Sequence, residues 1–149
     1  QDMATYTGDV LSQNSPQPGA TGKGGGLKRL RYPVTLSAAP TTSDTINFGY
    51  APKGFRVYGA SLKASDMDTN GSPTITLNVG DAGSATRIFS ATNIAQTGTY
   101  TDVPQNGIID YQYTADTMIT GTAQANAATG AAGTLVLILV GVFDPTVNS

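Results

Sequence analysis

Apolar and polar residues alternate with a period of two through much of this chain, and the clearest case lies near its middle. Between residues 74 and 79, Ile75, Leu77 and Val79 alternate with Thr74, Thr76 and Asn78. Successive side chains of a strand point to opposite faces, so the pattern predicts a half-buried β-strand. Residues 55–64 read as another strand. The segment between the two, 65–73, holds Asp66, Asp68, Asn70, Gly71 and Pro73, residue types suited to turns. Residues 49–83 are therefore expected to form a β-hairpin with a long polar loop, around which the rest of the chain is arranged.

The same period recurs on both sides. Leu30, Tyr32, Val34 and Leu36 alternate with Arg31, Pro33 and Thr35, and Pro33, which has no N–H to donate, assigns this strand to a sheet edge. Ile46, Phe48 and Tyr50 predict a short strand, as do residues 86–90 with Ile88 and Phe89. Ile109, Tyr111 and Tyr113 predict a further one, and residues 117–123 another. Parity places Tyr32, Tyr50, Tyr111 and Tyr113 with the apolar faces. Residues 92–96 hold material for one helical turn, bounded by Gly98 and Pro104. Residues 134–143 are apolar at nearly every position, which predicts a central strand buried on both faces.

About eight strands separated by turn signals, with no convincing helix, predict an all-β fold: a jelly-roll-like β-sandwich. An immunoglobulin-like sandwich is the second arrangement, although the chain has neither Trp nor Cys. At 149 residues one domain suffices. Residues 1–26 carry Pro16, Pro18 and the run Gly24, Gly25, Gly26, with few apolar anchors beyond Tyr6, Val10 and Leu11. They are expected to form an extended N-terminal arm that orders against a partner, leaving residues 27–149 as the sandwich.

Composition narrows the chemistry. All ten acidic residues are Asp, His and Cys are absent, and the net charge is -2. The usual general bases and nucleophiles are therefore mostly missing, and no enzyme is expected. A charge content of 12% with no excess of Lys and Arg argues against nucleic acid as a partner. Residues 1–13 show no basic region followed by an apolar run, so no secretory signal is expected there. The apolar run from Leu135 falls far short of the roughly twenty residues of a membrane helix, so no membrane partner is expected. Absence of Cys fits assembly in a reducing compartment such as a cytoplasm.

Two clusters invite a functional reading. Asp66, Asp68, Asn70 and Gly71 match the opening of a calcium loop, but Leu77 stands where the bidentate Glu belongs; neither metal nor cofactor is expected, with a weakly held calcium ion on the turn's carboxylates and carbonyls as the lesser alternative. Lys23, Lys28, Arg29 and Arg31 hold half of the chain's eight basic residues where the arm meets the fold. They suit docking onto an acidic surface, or simply a solvated face. The glycines around Lys23 precede a strand rather than a helix, which gives an anion no helix N-terminus.

Three segments, PKGFRVYGASLKASDMDTNGSPTITLNVGDAG, DYQYTADTMITGTAQ and GTLVLILVGVF, occur in that order. Together they resemble the small β-sandwich structural proteins of tailed bacteriophages, and among these the capsid decoration, or cement, proteins. The resemblance spans residues 52–143. It implies a non-enzymatic virion protein that binds the outer surface of the head through the major capsid protein, stabilises the shell, and forms a homotrimer. The capsid-contact candidates are then Tyr6, Val10, Leu11, Lys23, Lys28, Arg29 and Arg31. The competing expectation is a carbohydrate- or receptor-binding module of a tail or baseplate, served by exposed Tyr and Asp in loops.

Overall fold

The computed structural model describes residues 4–7 and 27–143. Among the described residues nine strands form two sheets: β1 (Thr5–Thr7), β2 (Lys28–Leu36), β3 (Thr45–Ala51), β4 (Phe55–Ala64), β5 (Thr76–Asp81), β6 (Phe89–Thr92), β7 (Tyr100–Thr101), β8 (Thr117–Ala125) and β9 (Gly133–Phe143). One sheet has the order β1-β3-β8-β5-β6 and the other β2-β9-β4-β7. From β2 to β5 the chain alternates between sheets, β5 and β6 pair as neighbours, and β7 to β9 alternate again. That interleaving is a jelly roll.

The core lies between the sheets. Leu30, Tyr32, Val34 and Leu36 from β2, Leu135, Leu137 and Leu139 from β9, and Ile46, Phe48, Leu77, Val79 and Ile119 from the facing sheet are all buried. As expected, β2 is an edge strand and β9 is central, paired with β2 on one side and β4 on the other. The outward side of β9 departs from expectation. Val136, Ile138, Val140 and Val142 are only half-buried. The cause is architectural: among the described residues no third layer covers this sheet.

The expected hairpin does not form. β4 pairs with β9 and β7, whereas β5 pairs with β8 and β6 in the opposite sheet. The loop between β4 and β5 crosses the end of the sandwich instead of turning back, because Asp68 ties it to the β8–β9 loop. Tyr50 also departs from its parity. The β3–β8 register shifts between Asn47 and Gly49, and Gly49 has φ 152°. One extra residue reverses every side chain beyond it, so Tyr50 faces outward. The strand expected at Ile109, Tyr111 and Tyr113 reduces to a single bridge between Arg56 and Gln112, after a 3-10 turn at Asn106–Ile108. The helical turn expected near residue 94 is a 3-10 turn at Ile94–Gln96.

Tyr6 is engaged by the sandwich itself. β1 runs parallel to β3, with Tyr6 beside Ile46, and Tyr6 packs half-buried against the core. Asp44 holds this strand: its Oδ1 accepts from Ala4 N at 2.9 Å and its Oδ2 from Thr41 N at 2.8 Å. Residues 4–7 thus belong to the sandwich rather than to an arm awaiting a partner. Val10, Leu11 and Lys23 lie outside the described residues.

Candidate functional site

The two sheets carry their charge unequally. The strands of the four-stranded sheet hold Lys28, Arg29, Arg31, Arg56 and Lys63 and no Asp; the strands of the five-stranded sheet hold no Lys or Arg and only Asp81. Alternation along β2 turns Arg29 and Arg31 outward and sets Lys28, half-buried, on the side of Leu30. Of the expected basic contacts, the fold therefore aligns Arg29 and Arg31 on one face and separates Lys28 from them. The outer face of the five-stranded sheet presents Asn47, Asn78, Thr76, Thr120 and Thr122, with Tyr50 beside Met118, and carries no charge.

Asp66 and Asp68 are close in sequence but occupy different environments. Asp66 is exposed, and its Oδ1 accepts from Asp68 N at 3.0 Å. Asp68 is buried. Its Oδ2 accepts from Thr74 N at 2.7 Å, Ala128 N at 2.9 Å and Ile75 N at 3.2 Å, and its Oδ1 from Thr129 N at 2.9 Å. Burial works to raise the carboxyl pKa, but the N–H groups of Thr129, Thr74, Ala128 and Ile75 outweigh it and hold the group well below the usual carboxylate range. These donors occupy the oxygens that a calcium ion would need, and their dipoles favour an anion rather than a cation. The turn that resembles a calcium loop is thus a latch between two loops. Bonds from Thr69 N to Thr129 O and from Ala131 N to Met67 O reinforce it.

A second carboxylate was not singled out by the sequence pattern. Buried Asp81 accepts from Arg87 Nε at 2.7 Å and Nη2 at 3.2 Å, from the Tyr113 hydroxyl at 3.0 Å, and from Gly83 N and Ser84 N. Burial opposes ionisation of Asp81, and the Arg87 and Tyr113 bonds reverse that effect, leaving its pKa lowered. Burial, followed by the Asp81 charge, pushes the Tyr113 hydroxyl far up. The Arg87 guanidinium also lies over the Tyr111 ring, 4.1 Å from its centroid. Both oxygens of Asp81 are engaged, so the cluster serves as a structural clamp. In sequence it showed only as an Asp-Ala-Gly-Ser turn, since Tyr113 joins it from 32 residues away.

Among the described residues no group of three metal-ligating side chains converges. What the described residues offer is two sheet faces of different charge. Comparison with known proteins gives those faces their context. A chain of the cyanophage Pam1 capsid asymmetric unit is 39% identical, with a TM-score of 0.73, over 82% of this chain and 88% of that one. This chain belongs to that phage capsid family. A chain in the capsid of Ralstonia phage GP4 is 28% identical with a TM-score of 0.80, covering 93% of this chain and 97% of that one. The capsid family's fold extends to a chain in the acid-stable capsid of Helicobacter pylori bacteriophage KHP30, at 14% identity and a TM-score of 0.50, over 78% of this chain and 93% of that one. No protein-family model and no curated protein matches the chain. Its role is structural and its place is the virion.

Proposed function

We propose that this chain is a decoration, or cement, protein: a non-enzymatic unit that binds the outer surface of a phage head, contacts the major capsid protein, and stiffens the shell as a homotrimer. The observation that carries the reading is the likeness to capsid chains along nearly the whole sandwich, at 39% identity for Pam1. The physical character of the surface supports it. An uncharged face of Thr and Asn on the five-stranded sheet meets a neighbouring copy without like-charge repulsion. Closed symmetry is the usual outcome for such contacts. The buried carboxylates among the described residues, Asp44, Asp68 and Asp81, are engaged in holding loops and strands, which leaves them no catalytic task.

The test is assembly with and without the chain. Heads lacking it are expected to form, to keep their shape, and to release DNA at a lower temperature; adding the purified protein restores the original release temperature. Heads that fail to form without it would assign the chain to the building of the shell. A density map of intact particles that places it on the tail, together with clean hits on a glycan array, would favour the sugar- or receptor-binding alternative.

A further inference from the structure

The outer face of the four-stranded sheet is built unlike an ordinary solvent face. Antiparallel sheets with one wet side usually alternate apolar-in and polar-out. Along β9, however, the outward positions are Val136, Ile138, Val140 and Val142, a continuous β-branched stripe. The register fixes what flanks it. Arg29 stands opposite Val140 and Arg31 opposite Ile138 on the β2 side, and Lys63 stands opposite Val136 on the β4 side. All three cations are exposed, and among the described residues none pairs with a carboxylate. Tyr100, 66% exposed, extends the same row beside Lys63.

An apolar centre with a charged rim and a nearby aromatic is the anatomy of a protein interface. We infer that this face docks a different protein chain of the virion, one that presents Asp or Glu around an apolar centre. Charge decides the occupant. A second copy using the same face would bring two cationic rims of Arg29, Arg31 and Lys63 together, and like charges across an interface are strongly disfavoured. A nucleic acid would match the cations but leave the Val and Ile stripe without a partner. The inference rests on the chain's place in a virion, not on the decoration reading.

Lys63 supplies a direct probe, because it is the exposed amine on this face. Intact particles are treated with a carbodiimide, which joins amines to adjacent carboxylates, and in parallel with an amine-labelling reagent; peptides are then identified by mass spectrometry. Lys63 is expected to couple to an Asp or Glu of another protein and to lose the labelling it shows in the isolated chain. If that partner lies outside the head shell, the docking inference stands and the decoration reading falls. Three results overturn the inference: labelling of Lys63 equal to that in the isolated protein, coupling only to aspartates of this same sequence, or protection without any carboxylate coupling.

Discussion

At one end of β5 the sandwich is closed by Asp68, at the other by Asp81, and the two carboxylates are stabilised by different means. Asp68 has no cation beside it among the described residues. Its charge is balanced by backbone N–H groups from the β4–β5 loop and, 60 and 61 residues further along, from the β8–β9 loop. Asp81 has a guanidinium six residues away and a tyrosine hydroxyl. An Arg partner lies close in sequence and retains its charge in any conformation. A ring of backbone dipoles exists only when both loops are already in place. The Asp68 end is therefore held cooperatively and the Asp81 end more locally, so substitutions at the two ends should not behave alike.

The largest effect is expected for Asp68→Ala. It leaves the N–H groups of Thr74, Ile75, Ala128 and Thr129 without their acceptor and releases both loops together. An unsatisfied buried donor is costly; here the Ile75 bond is buried and the other three are partly buried. The melting temperature, followed by circular dichroism, should fall by roughly 10 °C or more. A fall of only a degree or two would mean that the loops hold themselves and that the cooperative picture is wrong.

Next comes Arg87→Ala, at about 2–3 kcal/mol by urea unfolding. It strips a buried carboxylate of its ion pair, but Tyr113, Gly83 and Ser84 continue to donate. Arg87→Lys should recover only part of the loss, because an ammonium cannot reproduce the forked contact to both oxygens. Tyr113→Phe, which removes one hydroxyl donor, should cost about 1 kcal/mol. Equal losses for Arg87→Ala and Tyr113→Phe would show that the ion pair adds nothing beyond a hydrogen bond.

Acid should act on both ends in the same direction. Asp44, Asp68 and Asp81 all have folded pKa values below the ordinary range. Their contribution to stability is therefore whole above the unfolded carboxylate value of about 3.9 and is lost as pH falls through the folded values. Asp68→Asn should be less stable than the parent at neutral pH and lose less on acidification from about pH 5 to pH 2. Parallel acid limbs for parent and variant would mean that Asp68 contributes nothing to the acid dependence.

Much of the architecture was legible because it depends on local pattern. Alternation at Leu30, Tyr32, Val34 and Leu36 gave β2 and its inward face; Pro33 gave its edge position; the apolar run after Gly133 gave the central β9. What was hidden depends on contacts distant in sequence or on single-residue insertions. A bulge at Asn47–Gly49 reversed Tyr50, and no pattern in the strand announces it. The crossing between β4 and β5 looked like a hairpin loop because Asp68 finds its partners near Ala128, far outside any local window. β1 was concealed by its length of three residues and by its anchoring through Asp44. Of the candidate contacts, the outward placement of Arg29 and Arg31 followed from alternation. Lys63 and the β9 stripe emerged only once the register set them in one face.

The smallest effect is expected for Asp66→Ala. Asp66 and Asp68 have the same chemistry, lie two residues apart in one turn, and cannot be told apart by composition. Asp66 is exposed and contributes one hydrogen bond, from Asp68 N. Its loss lets water take the place of the carboxylate, so the change should be about 1 kcal/mol or less. The double variant tests whether the two act as one unit. If Asp66 merely orders the turn through the Asp68 backbone, its effect should shrink once Asp68→Ala has already released the loop, and the cycle of unfolding free energies should show that non-additivity. Strict additivity would mean that Asp66 stabilises the turn independently and that the latch consists of Asp68 alone.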